Sequence, residues 1–381
     1  MLRKILTFFQ KETVLSISAI LAILSMFIVH PSGKYFSYID FRTLSLLFCL
    51  MSIVAGLSEI GLFDYLAEKI LSRANSIKSI IVLLVLLCFF FSMIITNDVA
   101  LITFVPFAII ILKKMSEKQK NYWILRTVVM QTIAANLGSM LTPIGNPQNL
   151  YLYARANMSA LALIRLMLPY SIAALVLLLV WIQVAAHREP VSTTENHISE
   201  LFSIHKAKAP NQTSLIGYLI LFLICLLVVA HIIDYRISFI LVIGYIFFKN
   251  WHLFKKVDYS LLLTFTALFI FIGNLKCIPQ FNHFLISIID GHETLTAILS
   301  SQIISNVPAA ILLSGFTENY SALIIGTNIG GLGTLIASMA SLISFKYIAK
   351  EKTTLRGKYF MMFTIANIVF LILLLLCINL L

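Results

Sequence analysis

Two short polar motifs interrupt an otherwise apolar chain: Thr96-Asn97-Asp98 and Ser305-Asn306-Val307. Each is followed by an Asn-rich, glycine-broken stretch. The first runs from Asn136 through Gly138, Thr142, Pro143 and Gly145 to Asn146, and the second from Asn328 through Gly330, Gly331, Gly333 and Thr334 to Ser338. Overlaid, the two stretches share Asn-x-Gly-Ser/Gly and a Thr at the same offset. Such breaks are costly inside an apolar helix, because the freed backbone groups need partners that lipid does not supply. One break in each half of the chain is the sequence signature of a secondary transporter built from inverted repeats.

The chemistry available at such breaks follows from the residue types. A broken helix offers carbonyls from its upstream arm, which coordinate cations, and N–H groups from its downstream arm, which attract anions. Asn97, Asn136, Asn306 and Asn328 can donate and accept at once. Gly138, Gly145 and Gly330 permit close backbone approach, while Pro143 and Pro147 keep the helix from closing across the break. The ligand-facing set predicted on this basis is Thr96, Asn97, Asp98, Asn136, Gly138, Thr142, Gly145 and Asn146 from the first half. From the second half it takes Ser305, Asn306, Val307, Asn328, Gly330 and Thr334. Thr96 with Asn97 and Asp98, and Ser305 with Asn306, are candidate Na+ ligands. Asp98 is the one carboxylate in the middle of an apolar segment. An ionised carboxylate in lipid costs at least about 2.5–3.5 kcal/mol, so it should face a wet site. There it either binds a coupling cation, carries a proton, or simply caps the helix that follows.

The elements that position these motifs are dictated by composition. Apolar residues make up 60% of the chain and charged ones 12%, with a mean hydropathy of +0.97, far outside the soluble range. The predicted class is an all-α polytopic membrane protein of a single hydrophobic domain. Spans are expected at 14–30, 41–57, 122–153, 161–185, 213–233, 237–254, 259–275, 320–345 and 359–380. Between them lie 79–112 and 294–316, each split by one of the polar tips. The arms of 294–316 would rise only about 15 Å each, against a hydrocarbon core of about 30 Å. That segment is therefore predicted to be a re-entrant hairpin, and 79–112 its counterpart.

With the N-terminus inside, 21 of the 28 Lys and Arg fall on the inner side, as the positive-inside rule requires; the C-terminus then lies outside. The net charge of +12 is thus explained by topology, with no nucleic-acid partner. The amphipathic stretch 58–78 carries Lys69, Arg73 and Lys78, whereas its counterpart 277–293 carries no Lys or Arg. Residues 1–185 and 237–381 are accordingly expected to be inverted repeats. Between them, 186–236 supplies a cytoplasmic linker (186–212) and a connecting span. The N-terminal lead-in lacks a cleavage site for a signal peptide. Five cysteines stand singly, without metal or disulfide spacing, and no cofactor is expected beyond a coupling Na+ or H+. An enzyme would need a catalytic pair at one depth. A water-channel-like pore would need a second Asn-Pro to match Asn146-Pro147, and Asn328-Ile329 is not one.

The hairpin motif, ANLGSMLTPIGNPQN, SNVPAAILL and GTNIGGLGTLIAS together resemble the ion transporter superfamily. That group comprises arsenite efflux permeases, D-type sodium/proton antiporters and divalent-anion/sodium symporters with a citrate-transporter-like domain. The resemblance implies a homodimer of elevator-type protomers, with solute and cation held between two hairpin tips and two broken helices. The symporters carry Ser-Asn-Thr at both tips. Thr96-Asn97 and Ser305-Asn306 match, while Asp98 and Val307 depart at the third position. The expected function is ion-coupled movement of a small anion or oxyanion-like solute across the cytoplasmic membrane by alternating access. The alternatives are a Na+/H+ antiporter and an arsenite/antimonite-type efflux permease.

Overall fold

The computed structural model describes residues 12–189, 209–351 and 354–378. The chain before Glu12, most of the expected linker 186–212 and the extreme C-terminus lie outside them. Among the described residues the regular structure is helical and no strand occurs.

The first half runs α1 (Thr13–Met26), the single turn α2 (Tyr35–Tyr38), α3 (Phe41–Glu59) and α4 (Leu62–Leu71). The two arms α5 (Ile77–Ile95) and α6 (Asn97–Lys113) follow, then α7 (Glu117–Gly138), α8 (Pro147–Arg155) and α9 (Ala160–His187). A connecting helix α10 (Gln212–Val229) leads to α11 (Tyr235–Asn250), α12 (Tyr259–Lys276) and α13 (Pro279–Ile289). The second pair of arms is α14 (Glu293–Ile304) and α15 (Asn306–Leu313), followed by α16 (Tyr320–Ile329), α17 (Met339–Glu351) and α18 (Leu355–Ile378). Eight of the described helices are long and apolar enough to cross a bilayer. The fold class expected from composition is the one observed.

Both interruptions fall at the polar motifs, but their arms differ. α14 and α15 have 12 and 8 residues, too short to span a bilayer at 1.5 Å per residue. α5 and α6 have 19 and 17, so arm length alone does not fix how deep the first tip lies. The broken helices differ as well: α7 and α8 have 22 and 9 residues, α16 and α17 have 10 and 13.

Local chemistry explains where α3 and α12 begin. Asp40 and Asp258 precede them with almost the same backbone (φ −83°, ψ 86° and φ −78°, ψ 84°). Each carboxylate accepts a first-turn N–H at 3.0 Å, from Thr43 and from Leu261, which satisfies donors a helix start leaves orphaned. The halves then interlock. α1 packs on α12, and α11 packs on α3, so the first span of each half covers the second span of the other.

The glycines of the breaks are packing devices. A Cβ on Gly138 would sit 2.0 Å from the Phe89 carbonyl oxygen, and one on Gly330 would sit 2.9 Å from the Ile298 Cα. Each glycine lets its helix touch the backbone of a hairpin arm. Gly138→Ala and Gly330→Ala should each lower stability by about 1–3 kcal/mol, the usual cost of overpacking. Gly244, with nothing within 4 Å of such a Cβ, should tolerate Ala within about 0.5 kcal/mol. Thermal denaturation of the purified protein in detergent checks this; equal melting of all three variants would contradict it.

Candidate functional site

Thr96 and Ser305, the residues at the two tips, share one unusual backbone conformation: φ 72°, ψ 151° and φ 74°, ψ 152°. Non-glycine residues almost never enter this region, and each instance costs about 1–3 kcal/mol. The surrounding hydrogen bonds hold it. Just past each tip, the Asn97 N–H donates to the Gly145 carbonyl (3.2 Å) and the Asn306 N–H to the Ala337 carbonyl (2.9 Å). Gly145 and Ala337 both lie nine residues beyond the break asparagines, Asn136 and Asn328. The hydroxyls of Thr142 and Thr334, six residues beyond the same asparagines, donate to the carbonyls of Met93 (2.5 Å) and Gln302 (3.1 Å). Both acceptors lie three residues before a tip. These two threonines, expected to face a ligand, brace the hairpins.

The broken helices are tied to each other in a reciprocal pattern. The Asn136 Oδ1 accepts from the Ser338 hydroxyl (3.0 Å), and its Nδ2 donates to the Ser341 hydroxyl (3.4 Å). The Asn328 Oδ1 accepts from Asn146 (3.3 Å), and its Nδ2 donates to the Asn149 Oδ1 (2.6 Å) and to the Ile324 carbonyl (2.7 Å). Ser338 and Ser341 stand at the same offsets after Asn328 as Asn146 and Asn149 after Asn136. Asn136 also accepts from the Asn97 side chain at 3.0 Å. A continuous chain of polar contacts therefore joins both tips and both breaks.

This arrangement sets the local field. Four helices, α6, α8, α15 and α17, begin within the cluster, and four others, α5, α7, α14 and α16, end there. Helix N-termini carry about half a positive charge and C-termini about half a negative one. The C-terminal carbonyls are largely answered by side chains of the protein. In the first half the Asn149 amide donates to the carbonyls of Met140 and Thr142 (both 3.2 Å). In the second half the Gln302 amide donates to those of Gly330 (2.8 Å) and Leu332 (2.9 Å). Met140 and Leu332 are equivalent positions of the two breaks. Among the described residues, the carboxylates near the positive helix ends are Asp98 and, across the same cavity, Asp258.

Asp98 sits in the first turn of α6. Its N–H donates to the Asn97 Oδ1 at 2.9 Å, but among the described residues no hydrogen bond reaches its carboxylate. The carboxylate therefore does not cap α6. It lines a cavity of about 250 Å³ together with Thr96, Asn146, Lys256 and Asp258, walled by apolar side chains of α3. Asn146 is buried, and its Oδ1 has no hydrogen-bond partner among the described residues. Asn306 is likewise buried, and its Nδ2 makes no hydrogen bond among the described residues. Val307, next to it, is 7% exposed and brings no polar group to the second tip. Gly138, Gly145 and Gly330 contribute close packing. Of the predicted set, Thr96, Asp98, Asn146 and Asn306 are thus the residues with unengaged polar atoms. Residues beyond the predicted set that matter here are Asn149, Gln302, Ser338, Ser341 and Asp258. No group of three or more His, Cys, Asp or Glu that could hold a metal occurs among the described residues.

The sequence model of the citrate transporter family matches residues 5–319. An uncharacterised transporter of Methanocaldococcus jannaschii is 33% identical over 332 residues, covering 87% of both chains. The inner membrane protein YbiR of Escherichia coli is 31% identical over 85% of this chain and 84% of its own. The human P protein is 30% identical over 128 residues, only 15% of its length. The chain belongs to the citrate transporter family, in keeping with the resemblance to the ion transporter superfamily. It is a multi-pass secondary transporter, not an enzyme.

Proposed function

We propose that this member of the citrate transporter family is a proton-coupled carrier of a small carboxylate- or oxyanion-like solute, held between the two tips and the two breaks. The observation that carries the reading is the cluster at which four helix N-termini meet while the carbonyls of the opposing C-termini are largely occupied. Lys256, which lines the cavity beside Asp98, is ion-paired with Glu59 at 2.6 Å, so an anion would be held by helix ends and by amides such as Asn306. A sodium ion would need oxygen ligands. The break carbonyls at Met140 and Leu332 already accept from Asn149 and Gln302, which leaves the hydroxyls and amide oxygens at Thr96, Asn97, Ser305 and Asn306 as weaker candidates. Asp98 has an unengaged carboxylate on a cavity and is suited to take up and release a proton. The solute would cross the cytoplasmic membrane by alternating access of a homodimer, with the N-terminus inside and the C-terminus outside.

A second reading, Na+/H+ exchange, draws on the shared cavity of Asp98 and Asp258, where two carboxylates would suit a cation. Uptake of labelled citrate, smaller dicarboxylates and arsenite into proteoliposomes separates the readings. An inward proton gradient should drive accumulation of at least one anion, and exchange of Na+ for choline should change the rate less than about twofold. Anion uptake that requires Na+ and ignores a protonophore would reject proton coupling. Proton-coupled Na+ flux with no solute would favour the antiporter.

A further inference from the structure

A cavity of about 390 Å³ lies away from the tips and breaks, between α7, α9 and α18. Its walls are apolar, formed by Met130, Leu177, Val180, Val184, Phe370 and Leu373 among others, and one end carries Arg126 and Arg188. That end is where α7 begins, α9 finishes and α18 begins, on the side of the chain that carries Lys113 and Lys114 at the end of α6, Lys118 and Lys120 in the first turn of α7, and Lys346 and Lys350 in α17. The positive-inside rule places such a face toward the cytoplasm.

The two arginines are held in different ways. Arg126 lies 3.8 Å above the Tyr122 ring, and its Nη1 donates to the Tyr122 carbonyl at 2.6 Å. This draws the guanidinium back toward the membrane surface, as long basic side chains in spans generally do. Arg188 sits at the C-terminal end of α9. Among the described residues neither arginine forms an ion pair. The Tyr122 hydroxyl donates to the Ala185 carbonyl at 2.7 Å, fastening α7 to α9, so the groove has a fixed wall. Trp181 packs against Phe370 with ring centroids 5.8 Å apart, which fixes α9 against α18.

We infer that this groove binds an anionic phospholipid of the inner leaflet, its acyl chain along the apolar wall and its phosphate between Arg126 and Arg188. An apolar slot alone would take any lipid tail. Two cations that have no carboxylate partner among the described residues select a negative headgroup at its polar end, as basic pockets between spans on the cytoplasmic side do. Each such charge is expected to favour anionic over zwitterionic lipid about fivefold, so the pair together roughly thirtyfold.

Native mass spectrometry of the detergent-purified full chain, titrated with phosphatidylglycerol or phosphatidylcholine, tests this. Wild type should retain phosphatidylglycerol about thirtyfold more tightly. R126Q/R188Q should bind both lipids alike, and Val180→Trp, which fills the slot with the charges intact, should weaken both. Should a variant not fold, glycerol phosphate competition on wild type gives the answer. Failure of free glycerol phosphate to displace the lipid at equal concentration supports the site. Equal affinity of wild type for the two lipids would overturn the inference. So would displacement by glycerol phosphate alone, which marks a phosphate site, or a dimer that dissociates when Val180→Trp fills the groove, which marks a second copy as its occupant.

Discussion

Asp98→Asn is expected to lower proton-driven uptake by about 100-fold or more, the lower end of what removing a proton-transfer group costs, while exchange of internal for external solute survives. The side chains have the same shape, and among the described residues no hydrogen bond depends on the carboxylate, so the hairpin should fold as before. What is lost is the titratable charge beside the cavity of Thr96, Asn146 and Asp258. An amide imitates the protonated acid, one of the two states a coupled cycle must visit, so solute binding and exchange remain open. Net movement requires the other state and stops. The measurement is paired: accumulation under a proton gradient, and counterflow without one. Gradient-driven uptake equal to wild type from mildly acidic to mildly alkaline pH would remove Asp98 from the coupling step. Loss of counterflow as well would show that the carboxylate helps hold the solute.

The sequence announced both tips, because a polar triplet in lipid has few harmless explanations. The breaks were visible too, in the repeated Asn-x-Gly pattern and the Thr that follows it. Other features of the site were hidden for physical reasons. The strained backbone at Thr96 and Ser305 could not be read, since glycine would signal that conformation and neither residue is glycine. Ser338 and Ser341 stand outside the predicted ligand-facing set because serine in an apolar helix is ordinarily a packing residue, although their offsets repeat those of Asn146 and Asn149. Asn149 and Gln302 answer equivalent break carbonyls from different parts of the fold, one from the downstream half-helix and one from a hairpin arm. No overlay of one half on the other reveals that exchange. Thr142 and Thr334 were rightly singled out as equivalent, but the shared offset reflects a shared brace to the hairpin.

Removing the amides of Asn136 and Asn328 should separate holding the breaks together from holding the tip. Asn328 engages Asn146 and Asn149 across the helix contact and the Ile324 carbonyl of its own helix, all of them buried. Asn328→Ala leaves two buried amide groups and a carbonyl short of partners, at about 1–3 kcal/mol each, so a loss of roughly 3–5 kcal/mol in stability follows, with some relaxation. Asn136 engages two serine hydroxyls, which can turn toward nearby carbonyls when it is gone, so Asn136→Ala should lose only about 1–3 kcal/mol. Yet Asn136 alone of the two grips a tip side chain, Asn97 at 3.0 Å, next to Asp98. Misplacing a reacting group by about an ångström costs on the order of 100-fold. Asn136→Ala should therefore keep most of its fold and lose solute transport about 100-fold per folded molecule. Asn328→Ala should be the less stable protein, with the smaller loss per folded molecule. Melting temperature read alongside uptake normalised to folded protein distinguishes the two. If both variants lose stability equally and transport in proportion to it, the asparagines only glue the breaks, and the tip is positioned by the backbone bonds to Gly145 and Ala337 alone.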